Sequence, residues 1–304
     1  MEGELLNRKI FINEIGPRDG FQNVNDFIGT DVKLNIIDGL VQAGIKKIQF
    51  TSFVNPKAIP QMRDAKEVVV ACLEKYKDID FYALVPNLVG AKIASECGVG
   101  KVSFVTSVTE SHNLANIKKT VDESVEELSR MLEMYPSLKV IWDVATAYGC
   151  PYEGNISDEK IINHITKGVN LGIRTFTLCD TIGIATPKLI KERTTRLMNE
   201  FPSCEFRIHI HDTRNMGMVN TLTAIECGVQ NVEVSIGGLG GCPFAPGASG
   251  NTSTEDIVYM LNNMGYDTDI QFEKLLQTAK YTKMNVKGNF SGHHINITND
   301  CRVQ

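Results

Sequence analysis

Short β-branched runs alternate along this chain with longer segments that carry charge on one face. The runs at 9–15, 47–51, 81–85, 101–106, 139–144, 175–178, 205–210 and 231–235 have the length and residue types of strands. Between them, 31–43, 62–75, 89–97, 119–134, 158–170, 187–200 and 217–227 repeat apolar residues at helical spacing, with another such segment near 254–263. Strands alternating with helices predict a parallel sheet. Eight such units in roughly 260 residues match the size and count of an α/β TIM (β/α)8 barrel, and this regularity favours the barrel over a doubly wound open sheet. Gly44, Gly98, Gly172 and Gly228 each fall where a helix stops and the next strand starts, the place of a left-handed C-terminal cap.

The tail from about 266 to 304 reads as helical and then polar. It predicts a C-terminal helical extension that covers one end of the barrel or meets a second subunit. No linker interrupts the pattern, so 1–304 is read as a single domain, with the barrel at about 8–265.

In such a barrel the chemistry collects at the C-terminal ends of the strands. The strand ends here are polar. Gly16-Pro17-Arg18-Asp19-Gly20-Phe21-Gln22 follows the first, Gln49 lies within the second, and Asp180 follows the sixth. His209 and His211 end the seventh, one residue apart in an alternating run, which puts both imidazoles on one face. Taken singly, each has a plainer reading: a hydrogen-bonded histidine pair, a turn aspartate at Asp19, a helix N-cap at Asn251. Converging on one barrel mouth, Asp19, His209, His211 and Asn251 make a set of oxygen and imidazole ligands suited to octahedral Mg²⁺ or Mn²⁺. Two positions then stay open for a bidentate substrate. Zinc, which prefers a tetrahedral site and often a thiolate, fits less well. The loop 237–250 is rich in glycine but has neither the spacing nor the lysine of a phosphate cradle. It reads as a flap carrying one functional group, Cys242, a thiol placed to donate or accept a proton.

Net charge of -5 without a Lys/Arg cluster argues against nucleic acid or an anionic membrane surface as a partner. No apolar run reaches transmembrane length and no secretory or transit pattern opens the sequence, so a cytoplasmic protein is expected. Eight scattered cysteines without a Cys-x-x-Cys pair fit reduced thiols better than a disulfide framework.

Several stretches resemble the 3-hydroxy-3-methylglutaryl-CoA lyase family, a branch of the DRE-TIM metallolyases. They are Gly16 to Gly20, Thr51-Ser52-Phe53-Val54, Gly149-Cys150-Pro151-Tyr152-Glu153-Gly154, Asp180-Thr181-Ile182-Gly183, His209-x-His211-Asp212-Thr213 and the loop from Gly238 to Asn251. The likeness runs from about 9 to 265, and the Cys242 loop is its part most specific to the CoA lyases. It implies metal-dependent retro-Claisen cleavage of 3-hydroxy-3-methylglutaryl-CoA to acetyl-CoA and acetoacetate, by a homodimer. In that picture Asp19, His209, His211 and Asn251 hold the divalent cation. Arg18 stabilises the enolate oxygen and Cys242 protonates the enolate carbon. Asp180 orients or relays near the metal, while Gln22 joins Arg18 as a substrate contact; Arg214, outside the family's pattern, is read from this chain's own residues as a third. Glu14 matches the family's glutamate on the first strand.

Three positions depart from the family. Gln49 stands where it has Glu, an amide that cannot ionise or take a proton. Arg214-Asn215-Met216 replaces Tyr-Gly-Gln, adding a cation. Leu114-Ala115 replaces a lysine pair, leaving Lys118 and Lys119 as the nearby cations. These departures keep open a related 3-hydroxyacyl-CoA such as citramalyl-CoA, a condensation with a 2-oxo acid, or a catalytically poor metal-binding relative.

Overall fold

The computed structural model describes residues 8–241 and 250–297. All eight strands form: β1 (Phe11–Glu14), β2 (Lys47–Ser52), β3 (Asp80–Leu84), β4 (Lys101–Ser107), β5 (Lys139–Ala145), β6 (Thr175–Asp180), β7 (Glu205–Ile210) and β8 (Asn231–Val234). They pair in parallel and in chain order, and β1 pairs with β8 to close the barrel. The outer ring is α1 (Thr30–Ala43), α2 (Ala65–Lys75), α3 (Leu88–Glu96), α4 (Glu110–Ile117), α5 (Val121–Met134), α6 (Asp158–Asn170), α7 (Pro187–Glu200), α8 (Gly217–Glu226), α9 (Thr254–Asn263) and α10 (Phe272–Asn285). Among the described residues no helix is long and apolar enough to cross a membrane. Gly44 takes φ 107° and turns its N–H back to the carbonyls of Leu40 and Val41; Gly98, Gly172 and Gly228 are also left-handed at their joints.

The apolar core lies between strands and helices. Outward-facing Ile48, Trp142, Leu178, Ile208 and Val232 pack with Leu40, Val69, Leu128, Ile165 and Ile225 of the helices, all almost wholly buried. Each such side chain contributes about 1.5–3 kcal/mol. The inward face differs from the branched apolar filling usual in this architecture. Lys47 Nζ donates to Asn231 Oδ1 at 2.6 Å, Arg207 donates to Asn13 Oδ1 at 3.1 Å, and Gln49 Nε2 donates to Ser103 Oγ at 2.8 Å. Tyr82 and Thr177 hydroxyls donate to Glu233 Oε1 at 3.2 and 3.3 Å. The barrel is filled by a hydrogen-bonded polar column.

α10 lies side-on against α1 rather than across an end, with Asn35 Nδ2 donating to Tyr281 Oη at 3.4 Å. The chain then returns to the mouth: Gly292 N–H donates to Gly237 O at 2.9 Å and Ser291 Oγ to Gly238 O at 3.1 Å. Two buried carboxyls fix this corner. Glu14 accepts from the backbone of Gly16 (2.7 Å) and Ile236 (2.9 Å) and from Thr254 Oγ1 (2.6 Å). Glu255 Oε2 accepts from Gly237 N–H at 2.9 Å, while its Oε1 is buried without a partner.

Burial pushes Glu14 up to about 7 and Glu255 up to about 8. Because the folded pKa of Glu255 lies above its unfolded value, the folded state holds more protons between the two. Stability therefore falls as pH rises through that window and levels off above it. Glu255→Gln keeps the acceptor for Gly237 and removes the ionisable group. It is expected to melt several degrees above wild type near about pH 9, with the gap closing near about pH 5, as followed by circular dichroism.

Candidate metal centre and active site

After β1 the segment Gly16–Gly20 winds into a π-helical turn, a local widening common at functional sites. Asp19 N–H donates to Ile15 O at 2.7 Å, and the turn aims Arg18 and Asp19 over the barrel mouth, both buried. The Arg18 guanidinium donates from Nε to Gln49 Oε1 and from its NH1 nitrogen to Asp19 Oδ1. The second carboxyl oxygen, Asp19 Oδ2, accepts from Asn251 Nδ2 at 2.7 Å.

His209 is the fifth residue of β7, and its inward face puts it beside Asn251. Its Nε2 lies 2.9 Å from Asn251 Oδ1, and its Nδ1 lies 3.2 Å from Glu233 Oε2. His211 stands one residue past the strand, in an isolated antiparallel bridge with Asn251. The two rings are 5.1 Å apart. The helix-cap reading of Asn251 does not hold: Ser253 caps α9, its Oγ accepting from Asp256 N–H at 3.3 Å, which leaves the Asn251 amide free to face the mouth.

The electrostatics suit a cation. Burial alone would push Asp19 up, but Arg18, His209, His211 and Asn251 together hold its carboxyl below the ordinary range, so it is ionised. Burial, with His209 adding to it, lowers His211 to about 4, leaving its imidazole neutral and able to ligate. Burial also opposes a charge on His209, and the carboxylates of Glu233 and Asp19 outweigh it, raising that pKa. One ligand atom from each of Asp19, His209 and His211 can be chosen so that all lie within 4.8 Å of one another. His211 Nδ1 is buried with no hydrogen-bond partner. A carboxylate, a neutral imidazole with an unpartnered nitrogen, a second imidazole backed by Glu233, and a turned-in amide fit a divalent ion. The carboxylate behind His209 is the usual orienting partner of a metal-bound histidine.

The remaining candidates divide. Gln49 is fully buried beneath Arg18. Asp180, at the end of β6, gives both carboxyl oxygens to its own loop, accepting from the N–H groups of Ile184 and Ala185, each at 3.0 Å. Burial raises its pKa above the ordinary value. Gln22 is half-buried just past the π-helical turn. Arg214 is exposed, and one of its nitrogens donates to the carbonyls of Ile182 (3.0 Å) and Gly183 (3.1 Å), tying the β6 loop to the β7 loop. Lys119 pairs with Glu127, and Lys118 Nζ donates to Ala115 O at 3.0 Å. Cys242 lies outside the described residues.

Sequence reading missed two inward carboxylates, Glu233 and Asp143. For Glu233 the signal was present in the alternation Asn231-x-Glu233 on β8, which sets two polar side chains on the barrel's inner face.

Gly240, at φ 155°, lies against this centre: a Cβ there would sit 2.5 Å from Asn251 Nδ2. Gly240→Ala is therefore expected to displace the Asn251 amide and weaken Mn²⁺ binding roughly tenfold to a hundredfold, measured by calorimetry, with the fold retained.

Comparison with known proteins agrees with the fold and identifies the family. The HMGL-like family model matches residues 9–281. The mouse mitochondrial hydroxymethylglutaryl-CoA lyase is 39% identical over 278 residues, spanning 91% of this chain and 85% of that protein. The Bacillus subtilis hydroxymethylglutaryl-CoA lyase YngG is 40% identical over 276 residues, 90% of this chain and 92% of that one. Among solved structures, the HMG-CoA lyase of Bacillus subtilis superposes with a TM-score of 0.91 at 37% identity, covering 95% of this chain and 98% of its own. An HMG-CoA lyase from Acinetobacter baumannii, in complex with coenzyme A and 3-methylmalate, superposes with a TM-score of 0.92 at 34% identity, covering 97% of each chain.

Proposed function

The chain belongs to the HMGL-like family, and from that premise we propose that it cleaves 3-hydroxy-3-methylglutaryl-CoA to acetyl-CoA and acetoacetate. The protein is a lyase on a TIM barrel. The observation that carries the reading is the meeting of Asp19, His209 and His211 within ligand distance of one another, with the Arg18 guanidinium against Asp19.

Asp19, His209, His211 and Asn251 would hold a divalent cation, Mg²⁺ or Mn²⁺ by the hardness of the donors. When bound, that ion supplies Lewis acidity toward the tertiary hydroxyl and a carbonyl oxygen of the substrate. The chain's own residues do the rest. Glu233 fixes the ring of His209 from behind. Arg18, held by Gln49 and Asp19, would present a cationic donor to the thioester oxygen, where negative charge grows as the bond between C2 and C3 breaks. Cys242, on the Gly-rich loop, is proposed to protonate the enolate carbon. Asp180 is proposed to order the β6 loop beside the site through its two backbone contacts. Gln22 and Arg214, at the rim, are proposed substrate contacts, Arg214 through a hydrogen-bond donor beyond those it gives to Ile182 and Gly183.

A homodimer in the cytoplasm completes the proposal. Support for the compartment is chemical: the six cysteines among the described residues are all unpaired thiols. Light scattering on the purified chain tests the dimer.

The activity test is direct. Purified protein with Mg²⁺ or Mn²⁺ is offered 3-hydroxy-3-methylglutaryl-CoA, citramalyl-CoA, and acetyl-CoA with 2-oxo acids. Release of acetyl-CoA and acetoacetate from the first, faster than any turnover of the others and lost with a chelator, is the expected result. Faster turnover of another substrate would overturn it.

A further inference from the structure

Cleavage needs a base for the proton of the tertiary hydroxyl, and the carboxylates at the mouth are otherwise engaged. Asp19 belongs to the cation. Both oxygens of Asp180 accept from backbone N–H groups, Glu14 has three donors, and Glu233 is met by Tyr82, Thr177 and His209. Gln49 is an amide. Among the described residues, two buried carboxyl oxygens have no partner: Glu255 Oε1, behind the turn at Gly237, and Asp143 Oδ1.

Asp143 lies on β5 with its side chain toward the barrel axis, opposite Thr177 in the β5–β6 register. The Thr177 hydroxyl, 3.3 Å from Glu233 Oε1, also meets the Asp143 carboxyl. The groups that feel its charge are Cys179 on the neighbouring β6, His209 on β7, Glu233 on β8, Tyr82 on β3 and Arg18 after β1. Like Gln49 and Glu233, it is buried within the barrel's inner face, the face that also carries His209.

We propose that Asp143 is the proton acceptor of this site, supplying from β5 the ionisable carboxylate that position 49 lacks. The inference rests on the lyase reading above. In the step it performs, the hydroxyl proton passes to Asp143 Oδ1 and the oxygen's electron pair forms the ketone C=O. The bond between C2 and C3 breaks, and its electrons remain on C2 as the enolate; no redox partner is required. Burial, reinforced by Glu233 and opposed by Arg18 and His209, raises this carboxyl to about 7, which suits a base working near neutrality.

The test compares wild type, Asp143→Asn and the double variant Gln49→Glu/Asp143→Asn with Mg²⁺ between about pH 5.5 and 9. Wild-type kcat/KM is expected to fall on the acid side of about 7, because the base must be ionised. Asp143→Asn should lose roughly a hundredfold or more in kcat/KM together with that acid limb, while its melting temperature and Mn²⁺ affinity stay near wild type. The double variant should recover at least about tenfold of the loss. An Asp143→Asn protein with wild-type kcat/KM overturns the proposal, as does a folded double variant no faster than the single one. If Asp143→Asn does not fold, the wild type decides: a flat profile below about pH 8 overturns the proposal, and an acid limb near 7 supports it. Wild type that fails to cleave the thioester overturns the lyase reading itself; wild type that cleaves it beside an unchanged Asp143→Asn overturns only the base.

Discussion

Asp19→Asn is expected to lower kcat/KM toward 3-hydroxy-3-methylglutaryl-CoA by far more than the roughly hundredfold that follows loss of an outer partner of a metal site. Asp19 is the one anionic member of the proposed ligand set, and its pKa is held down by the cationic and polar groups around it. Asparagine preserves shape and the contact with Asn251 while removing the charge that a hard cation requires. The loss should be one of metal rather than of fold. A ligand at a hundred times its dissociation constant adds about 2.7 kcal/mol to the native state, so excess Mn²⁺ should raise the wild-type melting temperature by several degrees. Asp19→Asn should show no such gain. Equal stabilisation of both proteins by Mn²⁺ would remove Asp19 from the metal centre.

Arg18→Gln should show a different signature: kcat down roughly a hundredfold to a thousandfold, the usual consequence of losing one donor to a developing oxyanion. KM should change little, because the interaction strengthens only as charge appears on the thioester oxygen. Arg18 is held at two points, by Gln49 and by Asp19, so its guanidinium is placed before substrate arrives. Asp19 keeps its Asn251 contact in the variant, and Mn²⁺ binding should survive. A variant that loses Mn²⁺ binding along with kcat would show Arg18 acting through Asp19 instead.

The barrel was legible in the sequence because its outward-facing residues obey simple periodicity. Ile48, Leu178, Ile208 and Val232 announce strands, and glycines such as Gly44 mark where helices end. α4 was not legible. Its buried residues are His112 and Asn113, so the polar positions face inward and the helical pattern is inverted. Asn113 makes up for this by accepting from Ser107 N–H at 2.9 Å and donating to Lys119 O, Thr120 O and Ser124 Oγ, a network that no apolar count detects.

At the site, Asp19, His209, His211 and Asn251 could be grouped from the sequence because each follows or ends a strand, and Gln49 because it departs from the family. Glu233 and Asp143 escaped notice because they lie inside strands, where a single polar residue reads as an interruption unless the whole inner face is followed. Nothing in the sequence foretold that Asp180 spends its carboxylate on its own loop, since that depends on the path of the turn at Ile184 and Ala185.

The polar column inside the barrel carries a further consequence. In most barrels of this type the end away from the active site can be altered with effects on stability alone. Here Lys47 and Asn13 both contact Asn231, and Arg207 holds Asn13 while its charge acts on Glu233, the carboxylate behind a candidate metal ligand. Burial of Asn13, Arg207, Asn231 and Glu233 away from bulk water lets charge act over several residues. The two ends of the molecule are thus electrically one object, and a neutralising change at its foot should retune the chemistry at its head.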